Sequence, residues 1–109
     1  MFEKNLQLSF LMDAYAGLLS ERQQRVLDLY YNQDLSLGEI ADDVGISRQG
    51  VRDSIKKAER DLDFFESKLH LLARGKQIRE VSERVLALCG DQAELQEAAR
   101  ELIRLAQGE

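Results

Sequence analysis

Residues 35–62 read LSLGEIADDVGISRQGVRDSIKKAERDL, and this stretch decides the fold. Ser36 is a good helix N-cap, and Glu39 three residues on completes a capping box. Leu37, Ile40, Ala41 and Val44 then share one helical face. Gly45 follows the last apolar position, where a left-handed residue ends a helix without Cβ strain. Ile46 plugs the turn and Ser47 caps a second helix. Val51, Ile55, Ala58 and Leu62 give that helix a core stripe at i, i+4, i+7 and i+11. Small Ala41 lets the two helices approach closely. The pattern predicts a helix-turn-helix.

Outward from this motif the chain stays helical. Leu6, Phe10, Leu11, Tyr15, Leu18 and Leu19 trace an amphipathic helix over roughly residues 3–18. Ser20 with Gln23 forms a second capping box, which opens a helix through Tyr31 with Val26, Leu27, Leu29 and Tyr30 inward. After the motif no stop signal appears before Gly75. The second motif helix is therefore expected to run about 27 residues, or about 40 Å. Phe65, Leu69 and Leu72 would form a sticky stripe on its projecting end. Lys76 to Cys89 and Gln92 to Gln107 read as a helical hairpin, with Gly90 past one helix and Asp91 capping the next. The hairpin is too small to make a core alone. It is expected to pack on the long helix or on a second copy of the chain.

Composition agrees with an all-α protein. The chain has 109 residues, 44% of them apolar, and no proline. The expected division is a helix-turn-helix domain over 1–62 and a helical extension with hairpin over 63–109. No apolar run is long enough for a transmembrane helix, and the N-terminal residues lack the basic and apolar regions of a secretory signal. A single cysteine, Cys89, cannot staple the chain internally, which fits a reducing, cytoplasmic setting. The net charge of −5 opposes strong autonomous nucleic-acid binding, because phosphate contacts supply most of that affinity.

Locally the charge is reversed. Arg48, Arg52, Lys56 and Arg60 recur every four residues on the second motif helix, with Lys57 beside them. Arg48, Gln49 and Arg52 lie near its N-terminal end, the part that meets base edges in a major groove. Arginine grips guanine and glutamine grips adenine bidentately, and Lys56, Lys57 and Arg60 would sit nearer the phosphates. An ordinary solvated face is the competing reading. Gly50 lowers helix stability by about 1 kcal/mol relative to Ala, which close approach of another group would explain. Asp42-Asp43 and the Asp61, Asp63, Glu66 group read as solvated surface. His70 reads as a boundary residue of the long helix and Cys89 as a small buried hydrophobe. Tyr30 and Tyr31 would place one ring in the core and one outside. No catalytic set, phosphate loop, metal-ligand spacing or cofactor motif is seen, so no enzyme is expected.

Residues 20–62 resemble the region-4 helix-turn-helix of sigma factors. The likeness lies in Ser36-Leu37-Gly38-Glu39-Ile40-Ala41, the turn Val44-Gly45-Ile46-Ser47, and the Val51/Ile55/Ala58/Leu62 stripe. With Phe10-Leu11-Met12-Asp13-Ala14-Tyr15 ahead of it, the order continues through Leu29-Tyr30-Tyr31, Asp34 and Ser47-Arg48-Gln49 to Val51, Asp53, Ile55 and Lys56. As a whole it resembles the YlxM family of small bacterial proteins over residues 1 to about 72. That resemblance implies a gene beside those of the signal recognition particle. It also implies an accessory or regulatory role in co-translational targeting, and a helical, dimeric protein. The partner would be the particle's RNA or its protein. Gly50-Val51-Arg52 stands where the family tends to carry Ala-Val-Tyr, which makes this helix more basic than usual. A dimeric DNA-reading regulator and a pure protein-interaction module are the alternatives.

Overall fold

A computed structural model describes residues 6–108, all of whose regular elements are helical. The order is α1 (Leu6–Tyr15), a 3₁₀ turn (Ala16–Leu18), α2 (Glu21–Leu27) running into a π-turn (Asp28–Asn32), α3 (Leu37–Val44), α4 (Arg48–Leu69), α5 (Leu71–Leu88) and α6 (Ala93–Ala106). The chain forms two compact units, the first ending at Leu69 and the second starting at His70.

In the first unit, α1, α2 and α3 each pack on α4. Both capping boxes form. Ser20 Oγ accepts from Gln23 N at 3.1 Å while Gln23 Oε1 accepts from Ser20 N at 2.9 Å. Ser36 Oγ accepts from Glu39 N at 3.1 Å, and Glu39 Oε1 accepts from Ser36 N at 3.2 Å. Gly45 adopts φ +80° as the left-handed cap of α3. Val51, Ile55, Ala58 and Leu62 are each 0% exposed, so the α4 stripe is the spine on which the other helices rest.

The first helix differs from the expected pattern. Leu8, Leu11, Tyr15 and Leu19 are the buried residues, whereas Phe10 and Leu18 are more than half exposed. Leu8, Leu11 and Tyr15 keep the i, i+3, i+7 spacing of one face, and Phe10 lies about 100° from Leu11. The expected start near residue 3 and the Leu6 side chain lie outside the described residues.

Beyond residue 62, α4 still packs on α1, although Leu69 at its end is exposed. Phe65 is half-buried with its ring 6.0 Å from that of Tyr15, and the Tyr15 hydroxyl donates to Glu66 Oε1 at 2.5 Å. These contacts carry the first compact unit past residue 62 to Leu69.

The expected 27-residue helix is also interrupted. His70 takes φ +58°, in the left-handed region, which no intrahelical residue can hold. The helix breaks there, and α5 begins at Leu71 rather than Lys76. Gly75 therefore lies inside α5, where it serves packing. A Cβ on it would stand 2.6 Å from the Ala106 carbonyl oxygen of α6, so only glycine admits that approach. Ser82, Cys89 and Ala99 are the buried residues of this α5–α6 hairpin. Gly90 takes φ +58° as expected, but α6 is capped at Gln92, with no side-chain cap, rather than at Asp91.

Candidate nucleic-acid interface

The N-terminal end of α4 is built by its turn. Ser47 Oγ accepts from the Gly50 amide at 2.9 Å, fixing the first helical turn. A Cβ on Gly50 would stand 3.2 Å from that hydroxyl and 3.5 Å from Ile46 Cδ1. Glycine here leaves room for the cap and for the apolar plug together.

An α-helix advances about 100° per residue, so positions two residues from the core stripe stand on the far side. Displaced by two from Val51, Ile55, Ala58 and Leu62 are Gln49, Asp53, Lys56 and Arg60. All four are exposed. This outward ridge keeps the spacing of the buried one. The line Arg48, Arg52, Lys56, Arg60 is instead stepped every four residues and winds about 40° per step. Arg48 consequently lies beside α3. A Cβ on Gly38 would be 3.2 Å from its Nε and 3.3 Å from its Nη2. Arg52 flanks the outward ridge on the same side. Lys57 flanks it on the other, with Nζ 2.9 Å from Asp61 Oδ2. All six expected contact residues are exposed.

Two features here escaped the sequence reading. Asp53 stands within the outward ridge, and its Oδ1 accepts from Gln49 Nε2 at 2.9 Å. The only sequence signal for that pair is its i, i+4 spacing. The second feature is that several carboxylates tie helices together, although Asp42, Asp43 and Asp63 are exposed as expected. Asp61 Oδ2 accepts from Gln23 Nε2 of α2 at 3.0 Å as well as from Lys57. These bonds, Gln23 first, hold the Asp61 carboxyl below its ordinary pKa. Asp43 pairs with Arg25, whose Nη2 lies 2.6 Å away. Glu59 Oε1 accepts from the Tyr31 hydroxyl at 2.5 Å. Burial, with that hydrogen bond beside it, pushes the Tyr31 phenol above its ordinary range. Tyr30 is in the core and Tyr31 half-buried, their rings edge-to-face at 4.9 Å.

The two motif helices differ in charge. Residues 46–60 hold five basic and two acidic side chains, while α3 carries Glu39, Asp42 and Asp43 and no basic residue. Of these two helices, only α4 carries basic side chains. Elsewhere, His70 is exposed at the helix break and Cys89 is buried with its Sγ 3.1 Å from the Val85 carbonyl oxygen. Among the described residues no helix is long and apolar enough to cross a membrane.

Comparison with known proteins agrees with the motif. A relative described as a UPF0122 protein from Clostridium kluyveri is 51% identical over 78 residues, covering 72% of this chain and 70% of the relative. UPF0122 proteins of Halalkalibacterium halodurans and Bacillus pumilus are 40% and 41% identical, each over close to nine-tenths of both chains. The family profile for UPF0122, helix-turn-helix protein, YlxM / p13 like, matches residues 2–102. An all-helical chain with this motif geometry, matched along almost its whole length, belongs to the UPF0122 family.

Proposed function

We propose that this protein is a non-enzymatic accessory factor that contacts nucleic acid through the outward side of α4. The observation that carries this reading is the exposure of Lys56 and Arg60 opposite the core stripe, flanked by Arg52 and Lys57. Those side chains suit phosphates, and Arg48 and Gln49 stand at the helix end nearer the bases. The family's description as helix-turn-helix supports the same partner class.

The proposed setting is the cytoplasmic signal recognition particle, with its RNA as the ligand and its protein as a further contact. Resemblance to the YlxM family motivates this setting, and the charge distribution favours it over operator DNA. When a helix-turn-helix sits on duplex DNA, its first helix crosses the phosphate backbone. Here that helix would bring Glu39 and Asp42 towards phosphates. Contact by α4 alone, on a chain of net charge −5, suits a weak modulatory binder. A dimeric DNA regulator is the second reading. It is favoured by the exposed Ile78, Val81, Val85 and Leu88 of α5, which a partner copy would cover.

Titration of labelled signal recognition particle RNA over a range of salt tests the proposal, with mixed-sequence duplex DNA as competitor. The expected result is binding that survives the competitor and weakens with salt as a few phosphate contacts require. Lys56→Glu with Arg60→Glu should weaken it at least tenfold. Both positions are exposed, so folding should change little. Unaltered binding by the double variant overturns the α4 contact. Preferential loss to duplex DNA favours the regulator.

A further inference from the structure

Resting on the nucleic-acid contact just proposed, we infer that Gln49 and Asp53 act as one reading element, selecting bases with an amino group at C4 or C6 (cytosine and adenine) over bases with a keto oxygen there (uracil, thymine and guanine). The Asp53 carboxylate stands within a ridge otherwise suited to phosphates, where an acid weakens general attraction. Its neighbours Arg52 and Lys56 keep the surroundings positive. Asp53 is exposed and its bond lies within α4, whereas Asp43 and Asp61 bridge to α2. Its bond is to Gln49 alone among the described residues.

The chemistry of that bond sets what the pair can read. A carboxylate only accepts, and an amide has one acceptor oxygen and two N–H donors. With one Gln49 N–H given to Asp53 Oδ1, the pair offers a ligand two acceptors, Gln49 Oε1 and Asp53 Oδ2, and one donor. Adenine presents N6–H₂ beside its N7 acceptor, and cytosine presents N4–H₂. Both satisfy an acceptor-rich pair. On the same edge uracil and thymine present O4, and guanine presents O6 with N7; these would face the carboxylate acceptor to acceptor, and in an unpaired loop uracil's one donor, N3–H, is flanked by the keto oxygens O2 and O4. The hydrogen bond also holds the glutamine in one orientation, which reduces the ordering needed on binding.

The test uses RNA hairpins with one common stem and single-stranded loops of all C, all A or all U, plus DNA duplexes differing only at a central base pair. Binding of the full chain is read by fluorescence anisotropy. Wild type should bind the C and A loops about tenfold more tightly than the U loop, the discrimination of one good base contact. Asp53→Asn places an amide where the acceptor oxygen stood. It should reduce the preference to under threefold while tightening binding to the U loop. Gln49→Ala should weaken the A loop most. Equal circular dichroism spectra and unfolding midpoints would show that both exposed variants fold. Wild-type binding without base preference, or a preference kept by Asp53→Asn, overturns this inference and leaves the α4 contact standing. Failure of wild type to bind any probe overturns the contact itself and the inference with it. A preference seen on duplexes but absent from loops would overturn the RNA setting and retain the amino-group reading.

Discussion

Single side chains set the joints of this fold, and their effects are separable. Ser36 and Glu39 satisfy two orphan amides at the start of α3. Ser36→Ala should therefore cost about 1 kcal/mol, read as a lower urea midpoint with an unchanged slope. Gly75 obeys a different rule. Alanine is the better helix former by about 1 kcal/mol, yet its Cβ would meet a backbone oxygen that no rotamer change can move. Gly75→Ala should destabilise the α5–α6 hairpin by about 1–3 kcal/mol, the usual scale of overpacking, seen as lost amide protection in those helices. Asp61 gives a pH-dependent case. Hydrogen bonds from Gln23 and Lys57 lower its folded pKa below 3.8. Its stabilising contribution is present above that unfolded value and is lost as pH falls through the folded one. Thermal midpoints measured from about pH 6 down to about pH 3 should fall less steeply for Asp61→Asn than for wild type.

At the scale of elements, what was legible in the sequence was whatever local chemistry dictates. Both capping boxes, the left-handed Gly45 and the buried stripe of α4 follow from spacing and residue type, and all appear in the structure. His70 was legible as a boundary residue of the long helix but not as its stop, because histidine carries no helix-stop signal. Its left-handed backbone is an outcome of where the packed unit ends. Gly75 invited a mistaken stop for the opposite reason: glycine marks either a helix end or a close approach, and only tertiary structure chooses between them. Phe10 and Leu8 changed places because the contact of α1 with α4 picks one of two available apolar lines. At the candidate interface the basic residues were legible as a set. Their placement was not, since a four-residue repeat resembles a straight stripe until its winding is followed around the helix. The pairing of Asp53 was not legible there either, because an acid among bases reads as ordinary surface until its bond to Gln49 is seen.

Across the molecule, the first unit closes its core while the second does not. Tyr15, Tyr30, Ile40, Ile55 and Leu62 are all 1% exposed or less. In the α5–α6 hairpin, by contrast, the buried residues are the small Ser82, Cys89 and Ala99. Larger apolar side chains are left outside: Val81 is 50% exposed and Leu88 85%. Ile78, Val81, Val85 and Leu88 are spaced i, i+3, i+7 and i+10, which places them on one side of α5. Exposed apolar strips of this kind are the surfaces through which chains associate, so self-association is the prediction to test. Self-association through this strip would also raise avidity for nucleic acid by presenting two copies of α4. Light scattering at high micromolar concentration should then give twice the 12.5 kDa of the monomer. Val81→Asp with Leu88→Asp should return it to monomer mass without shifting the melting of the first unit. Monomer mass for the wild-type chain would leave α4 to act singly, and the dimeric DNA regulator would lose its structural support.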